Sequence, residues 1–197
     1  VARLNSGALP VPITVLSQQN IGASLGHDYL VKSLVAGLVG FILVALFMIF
    51  WYRLAGVIAV LALSIYSILV LVIFKLIPVT LTLAGIAGFV LSVGMAVDAN
   101  ILIYERLKEE LRSGKIFGAA LEDGFNRAWS SIRDSNISSL ITCAVLYWFG
   151  SSIVRGFALT LALGILVSMF SAITLTRTFL RGVAGTRLAR INFLWKH

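Results

Sequence analysis

The chain has 197 residues, of which 59% are apolar and 12% charged, with a mean hydropathy of +1.01. A soluble domain of that size has too little interior for so much apolar surface, so the bilayer must act as solvent. The net charge of +8 would suggest nucleic acid in a soluble protein, but the basic residues lie between and after the apolar runs, where they report membrane topology, and nucleic-acid binding is set aside.

In chain order, residues 1–30 read as the end of a periplasmic domain, most of which lies outside this sequence. Val11, Ile13 and Val15 alternate with Pro12 and Thr14, the pattern of a strand that has no partner nearby. Residues 31–181 read as the transmembrane domain, an all-α bundle of five spans at about 33–52, 55–74, 80–104, 135–150 and 156–176. Arg53 and Leu54 leave room only for a short turn, so the first two spans form a helical hairpin. Pro78 and the bend from Lys75 to Val79 separate the second span from the third, and a turn at Gly150 to Arg155 joins the last two.

Charge sets the expected orientation. On a strictly alternating path one side receives Arg53, six Lys or Arg in the loop 105–134 and five in the tail 177–197, twelve in all; the other receives Arg3, Lys32, Lys75 and Arg155. The positive-inside rule then places the N-terminal segment outside, and the loop 105–134 and the tail 182–197 in the cytoplasm. Within that loop Phe117, Leu121, Phe125, Trp129 and Ile132 form one face of an amphipathic helix, which Ser113 and Gly114 break from the third span. The expected place for that face is the membrane surface, with a partner-docking helix as the other reading.

One acidic residue lies inside a span. Asp98 follows Ala96 and Val97 and precedes Ala99, and the next acid in sequence is Glu105 at the cytoplasmic end. A carboxylate in hydrocarbon costs several kcal/mol, so an aspartate at that depth points to a task. Desolvation disfavours its charged form, which suits a group that takes up and gives off a proton. The plainer alternative is an aspartate that ties helices together. No Lys or Arg lies in the middle of a span; Arg133 is the nearest internal cation, and a second subunit is the alternative source.

The fourth span opens with Ser135, Asn136, Ser138, Ser139 and Thr142, and the spacing of Asn136, Ser139 and Cys143 places them on one face. These groups suit a carboxyl or a thin water path, and equally interhelical hydrogen bonding. In the fifth span Gly156, Thr160, Gly164, Ser168, Ala172 and Thr176 recur every four residues, a ribbon along which another helix can approach closely. The third span has related spacings in Ala84–Gly88 and Gly94–Asp98.

Other chemistries lack their residues. Cys143 is alone, and His27 and His197 lie far apart outside the spans, so no disulfide framework, metal site or cofactor is expected. An intramembrane aspartyl protease needs two facing aspartates, and Asp134 sits at the boundary; a serine–histidine enzyme needs a histidine in a span. The chain is therefore not expected to be an enzyme.

Three stretches, GMAVDANILIYERL at 94–107, FNRAWSSIRDSNISSLITC at 125–143 and GFALTLALGILVSMFSAITLTRTFLR at 156–181, resemble the SecD family of the RND superfamily, and LNSGALPVP at 4–12 looks like the end of that family's periplasmic domain. The resemblance covers essentially the whole chain. It implies a six-helix half of which the first helix is absent here, a pseudo-symmetric pairing with SecF, and work with the SecYEG channel and YajC. It also implies that ion flow, of protons or in some members sodium, promotes the export of polypeptides across the inner membrane. Asp98 matches the family's transmembrane aspartate, whose counter-arginine belongs to SecF. Drug-efflux relatives usually carry two adjacent aspartates here, and Ala99 stands in the second position. A passive scaffold that assembles the translocase, or another proton-coupled transporter of the RND type, remain the alternative readings.

Overall fold

A computed structural model describes residues 23–184 together with Thr186 and Trp195. The alternating segment 11–15, and most of the stretches 1–30 and 182–197, lie outside the described residues. Within them the chain is helical and contains no strand. Five helices follow in order: α1 (Ala23–Leu76), α2 (Leu83–Arg112), α3 (Phe117–Phe149), α4 (Ser152–Ser171) and α5 (Arg177–Ala184), the last two joined by a π-helical turn at Ala172–Thr176.

α1 is two limbs, broken at Arg53, whose φ of 50° and ψ of −117° no helix accommodates. The turn is tight enough that a β-carbon on Gly56 would sit 2.0 Å from the carbonyl oxygen of Met48, so glycine is required there. The limbs face each other across an apolar cleft of about 490 Å³ that α2 closes on a third side through Ile86, Val90 and Val97. At the other helix ends, Thr82 caps α2 by accepting a 3.1 Å hydrogen bond from Gly85 N. Gly114, with φ of 92°, turns the chain from α2 into α3.

Among the described residues, three stretches are long and apolar enough to cross a membrane: Tyr29–Leu76, Leu83–Arg112 and Ser152–Ala184. They contain four of the five expected spans, since the first stretch is the broken α1. The fourth expected span, 135–150, is not a separate helix. It is the second half of α3, which runs unbroken for 33 residues from Phe117. The polar residues Asp134, Ser135, Asn136, Ser138, Ser139 and Thr142 keep α3 outside that group.

The amphipathic face therefore belongs to the first half of α3, and the protein itself covers it. Leu121, Phe125 and Ile132 are buried in the main core, and Phe117 stacks edge-on to Trp195 at 4.7 Å. Gly124 lies so close to α2 that a β-carbon would meet Leu107 N at 2.9 Å. The expected membrane-surface role falls away because the apolar stripe has a protein partner. Charge fixes the same end of the bundle. Glu110 accepts from Arg127 at 2.5 Å and pairs with Lys115 at 2.7 Å.

Candidate functional site

α2 is the central helix of the bundle, and its two sides do different work. Toward α4 it presents Gly85, Gly88 and Ser92, and toward the π turn Asn100, all buried. The α4 ribbon lies against this stripe in parallel register. Gly156 approaches Thr82, Thr160 sits over Gly85 and Gly88, and Gly164 faces Ser92. A β-carbon on Gly88 would lie 2.4 Å from Thr160 Oγ1 and 2.7 Å from the carbonyl oxygen of Phe157, a backbone atom that cannot step aside. Ser168 and Ala172 are buried further along the ribbon. Gly94 is different: a β-carbon there would meet nothing within 4 Å. It borders the apolar cleft instead of the α4 contact.

Hydrogen bonds from residues outside the polar cluster and the ribbon also fasten this contact. Tyr66, from the second limb of α1, is fully buried and donates to Ser92 Oγ at 2.8 Å, with the Gly164 carbonyl at 3.3 Å. Ser92 passes its own hydrogen to Phe89 O at 2.7 Å. Three helices thus meet at one polar point in an apolar core. Further along, Thr176 Oγ1 donates to Asn100 Oδ1 at 2.7 Å, both side chains buried. The signal for Ser92 and Asn100 was in the sequence, because Gly88, Ser92, Ala96 and Asn100 repeat every four residues.

Asp98 lies on another side of α2. It lines a cavity of about 270 Å³ between α2 and α3, together with Met95, Ala99, Leu102, Ser131, Ser135, Asn136 and Ser139. Asn136 is buried, whereas Asp98 itself is exposed in the single chain. Ser139, which lines the cavity, donates back to Ser135 O at 3.1 Å, so its hydroxyl oxygen still has acceptor capacity. Among the described residues nothing hydrogen-bonds or ion-pairs with Asp98. A carboxyl beside hydroxyls and an amide, with water-sized room around it, can exchange protons or ions with whatever enters the cavity.

The remaining expected site residues lie elsewhere. Arg133 turns to Asp134, with Nε 3.0 Å from Oδ1, and does not line the cavity. Thr142 is exposed and donates back to Ser138 O at 3.1 Å. Cys143 shares the face of Asn136 and Ser139, but it is buried against Leu161 and Ile165, where α3 packs on α4. Ser131, one turn before the polar cluster that begins at Ser135, also lines the cavity.

Residues 5–185 match the family described as protein export membrane protein SecD/SecF, C-terminal. The chain is 56% identical over 197 residues to the protein translocase subunit SecD of Thermobaculum terrenum, covering 98% of this chain and 38% of that protein. It is 54% identical to the subunit of the same name from Dehalococcoides mccartyi, covering 95% of this chain and 43% of that one. The crystal structure of SecDF, a translocon-associated membrane protein from Thermus thermophilus, superposes with a TM-score of 0.84 at 41% identity, over 92% of this chain and 25% of that one. A second SecDF structure, in a super-membrane-facing form, gives a TM-score of 0.79. The chain thus spans well under half the length of these relatives.

Proposed function

Since the chain belongs to the SecD/SecF C-terminal family of protein export membrane proteins, we propose that it is the membrane part of a SecD-type accessory subunit of the Sec translocase, using the proton-motive force to promote polypeptide export across the bacterial inner membrane. The observation that carries this reading is the placing of Asp98. It is the one acid near mid-span, it opens on a polar cavity, and it has no partner among the described residues.

A carboxyl at membrane depth alternates between a neutral form and an ionised form that demands a cation. Its exposure on the single chain leaves the cation to come from outside, and a SecF-type subunit packed over the cavity would supply it. The two protonation forms favour different helix arrangements. If one opens the cavity outward and the other inward, a proton crosses in each cycle. One elementary charge moved through 100 mV releases about 2.3 kcal/mol, enough to bias a two-state equilibrium by tens-fold. A periplasmic domain attached before α1 would convert that bias into movement of an exported chain emerging from a SecYEG channel, with YajC among the associated subunits.

This reading takes the chain across the membrane five times, twice through the limbs of α1 and once through each of α2, the second half of α3, and α4. The N-terminal segment then lies in the periplasm, and the α2–α3 turn and the C-terminus in the cytoplasm. No catalytic step is assigned to the chain. Ala99 beside Asp98 speaks against a drug-efflux pump of the RND type.

A passive scaffold is the second reading, because an open aspartate also serves an interface. Asp98→Asn separates the two. It keeps size and hydrogen bonding but removes the proton exchange. The expected result is a complex that assembles normally and has lost potential-dependent export, by tenfold or more if about 1.4 kcal/mol of drive disappears. Normal export by a correctly assembled Asp98→Asn complex would favour the scaffold.

A further inference from the structure

Asp98 and Asn100 are two residues apart on α2, which turns them about 200° from each other around the helix. Asp98 opens on the cavity shared with α3. Asn100, on the far side and 5% exposed, accepts the hydrogen bond from Thr176 at 2.7 Å. Thr176 is the last residue of the π turn Ala172–Thr176. The next residue, Arg177, and Arg181 one turn on, both clamp Glu122 of α3; the Arg181 contact is 2.7 Å. The Arg177 guanidinium also lies 4.7 Å over the Phe125 ring. α3 in turn carries Asn136 and Ser139 into the Asp98 cavity. The contacts form a closed circuit from Asp98 through α2, the π turn, the arginine clamp and α3, back to the cavity.

A π turn holds one residue more than the α-helix needs, and such single-turn insertions are frequent at functional sites. Reverting it to α geometry rotates everything beyond it by about 100° and shifts it by about 1.5 Å. Arg177 and Arg181 then no longer face Glu122. The α form would be a second discrete arrangement of the turn beside the observed π form, and coupling between distant groups requires an element of that kind. Its ribbon side is buried at Ala172 and Thr176, and the Thr176 hydroxyl is the point at which α2 grips it.

We propose that the π turn, gripped by the Asn100–Thr176 hydrogen bond, is the switch that carries the state of Asp98 to the Arg177–Glu122–Arg181 clamp. Asn100 and Thr176 are positioning residues in this device. A shift of α2 that follows neutralisation of Asp98 moves Asn100 with it, because both ride on one rigid helix. The grip passes that shift to the π turn, the clamp loosens, and α3 is freed to change the width of the cavity. The inference rests on the reading of Asp98 as the ion-coupling group.

The test is backbone hydrogen exchange over residues 172–184 in the full-length protein in lipid, with and without Asp98→Asn. Asp98→Asn is expected to change exchange in this stretch by between about twofold and about thirtyfold, the range that coupling along packed networks spans. Thr176→Val, which keeps the shape and removes the hydroxyl, abolishes that response. Thr176→Ser restores it, which a purely space-filling role would not produce. Asn100→Ala, which breaks the same bond from the other side, reproduces the Thr176→Val result. No change in 172–184 on Asp98→Asn, or an undiminished response in Thr176→Val, overturns the proposal. Export measured on the same Asp98→Asn protein keeps the two ideas apart. Lost export with a silent π turn removes only the switch, whereas normal export removes the ion-coupling reading itself.

Discussion

Gly164 and Ser92 lie so close that a β-carbon on the glycine would sit 2.2 Å from the serine Oγ and 2.3 Å from its Cβ. Helices α4 and α2 meet at this point with no room for one further carbon. Ser92 cannot rotate away without giving up its bonds to Tyr66 and Phe89.

Gly164→Ala is therefore expected to destabilise the bundle by about 1–3 kcal/mol, the usual cost of overpacking. The same substitution at Gly94, where a β-carbon meets nothing within 4 Å, should be neutral or stabilising by up to about 1 kcal/mol, because alanine favours the helix. Unfolding of the two variants in detergent measures the difference. Equal effects would mean that the four-residue ribbon plays no part in packing.

Tyr66→Phe removes a hydroxyl that bridges three helices and leaves Ser92 still bonded to Phe89 O. The expected loss is about 0.5–1.5 kcal/mol, the net worth of one hydrogen bond. A Tyr66→Phe, Ser92→Ala double-mutant cycle should return a coupling of that size. Additive single effects would show that the contact contributes nothing beyond shape.

The path of α3 is open to direct measurement. Ser113, before α3, and Ser151, after it, are both exposed. Cysteines at the two positions should be labelled by impermeant reagents from opposite sides of the membrane, Ser113 from the cytoplasm. Labelling of both from one side would remove a crossing by α3 and, with it, the five-span arrangement.

Acid should loosen the clamp at the start of α5. Hydrogen bonds from Arg177, and then Arg181, hold the Glu122 carboxyl below the ordinary range. A group whose folded value is depressed contributes fully above its unfolded value, about 4.3 for glutamate. That contribution is lost as pH falls through the lower folded value. A fluorophore at Gly182, which faces open space, should therefore gain mobility only once pH falls below the ordinary glutamate range. Glu122→Gln should show the raised mobility at every pH. An unchanged acid profile in that variant would place the cause outside the clamp.

Much of the helical plan was legible in the sequence because the signals are local. The break at Arg53, the bend after Lys75 and the turns at Gly114 and Gly150 follow from short-range chemistry, and the structure has a helix end or kink at each. The α4 ribbon was legible for the same reason, since a four-residue period needs only one helix to be seen. The isolation of Asp98 among apolar residues was equally plain in the sequence.

Relations between helices were not legible. Periodicity shows that α2 has several small-residue stripes, including the one through Gly94 and Asp98 and the one through Gly88, Ser92, Ala96 and Asn100. It does not show which of them meets α4, because that depends on how each helix is rotated about its axis by all its neighbours at once. Tertiary packing chose the second stripe and so left Asp98 facing the cavity with α3. The same packing carried α3 unbroken through the polar cluster at 134–142, with its charged end gripped by Arg177 and Arg181. A chain's own periodicity fixes which faces are apolar and which are small; the pairing of those faces is a collective choice of the bundle, and only the tertiary structure decided it.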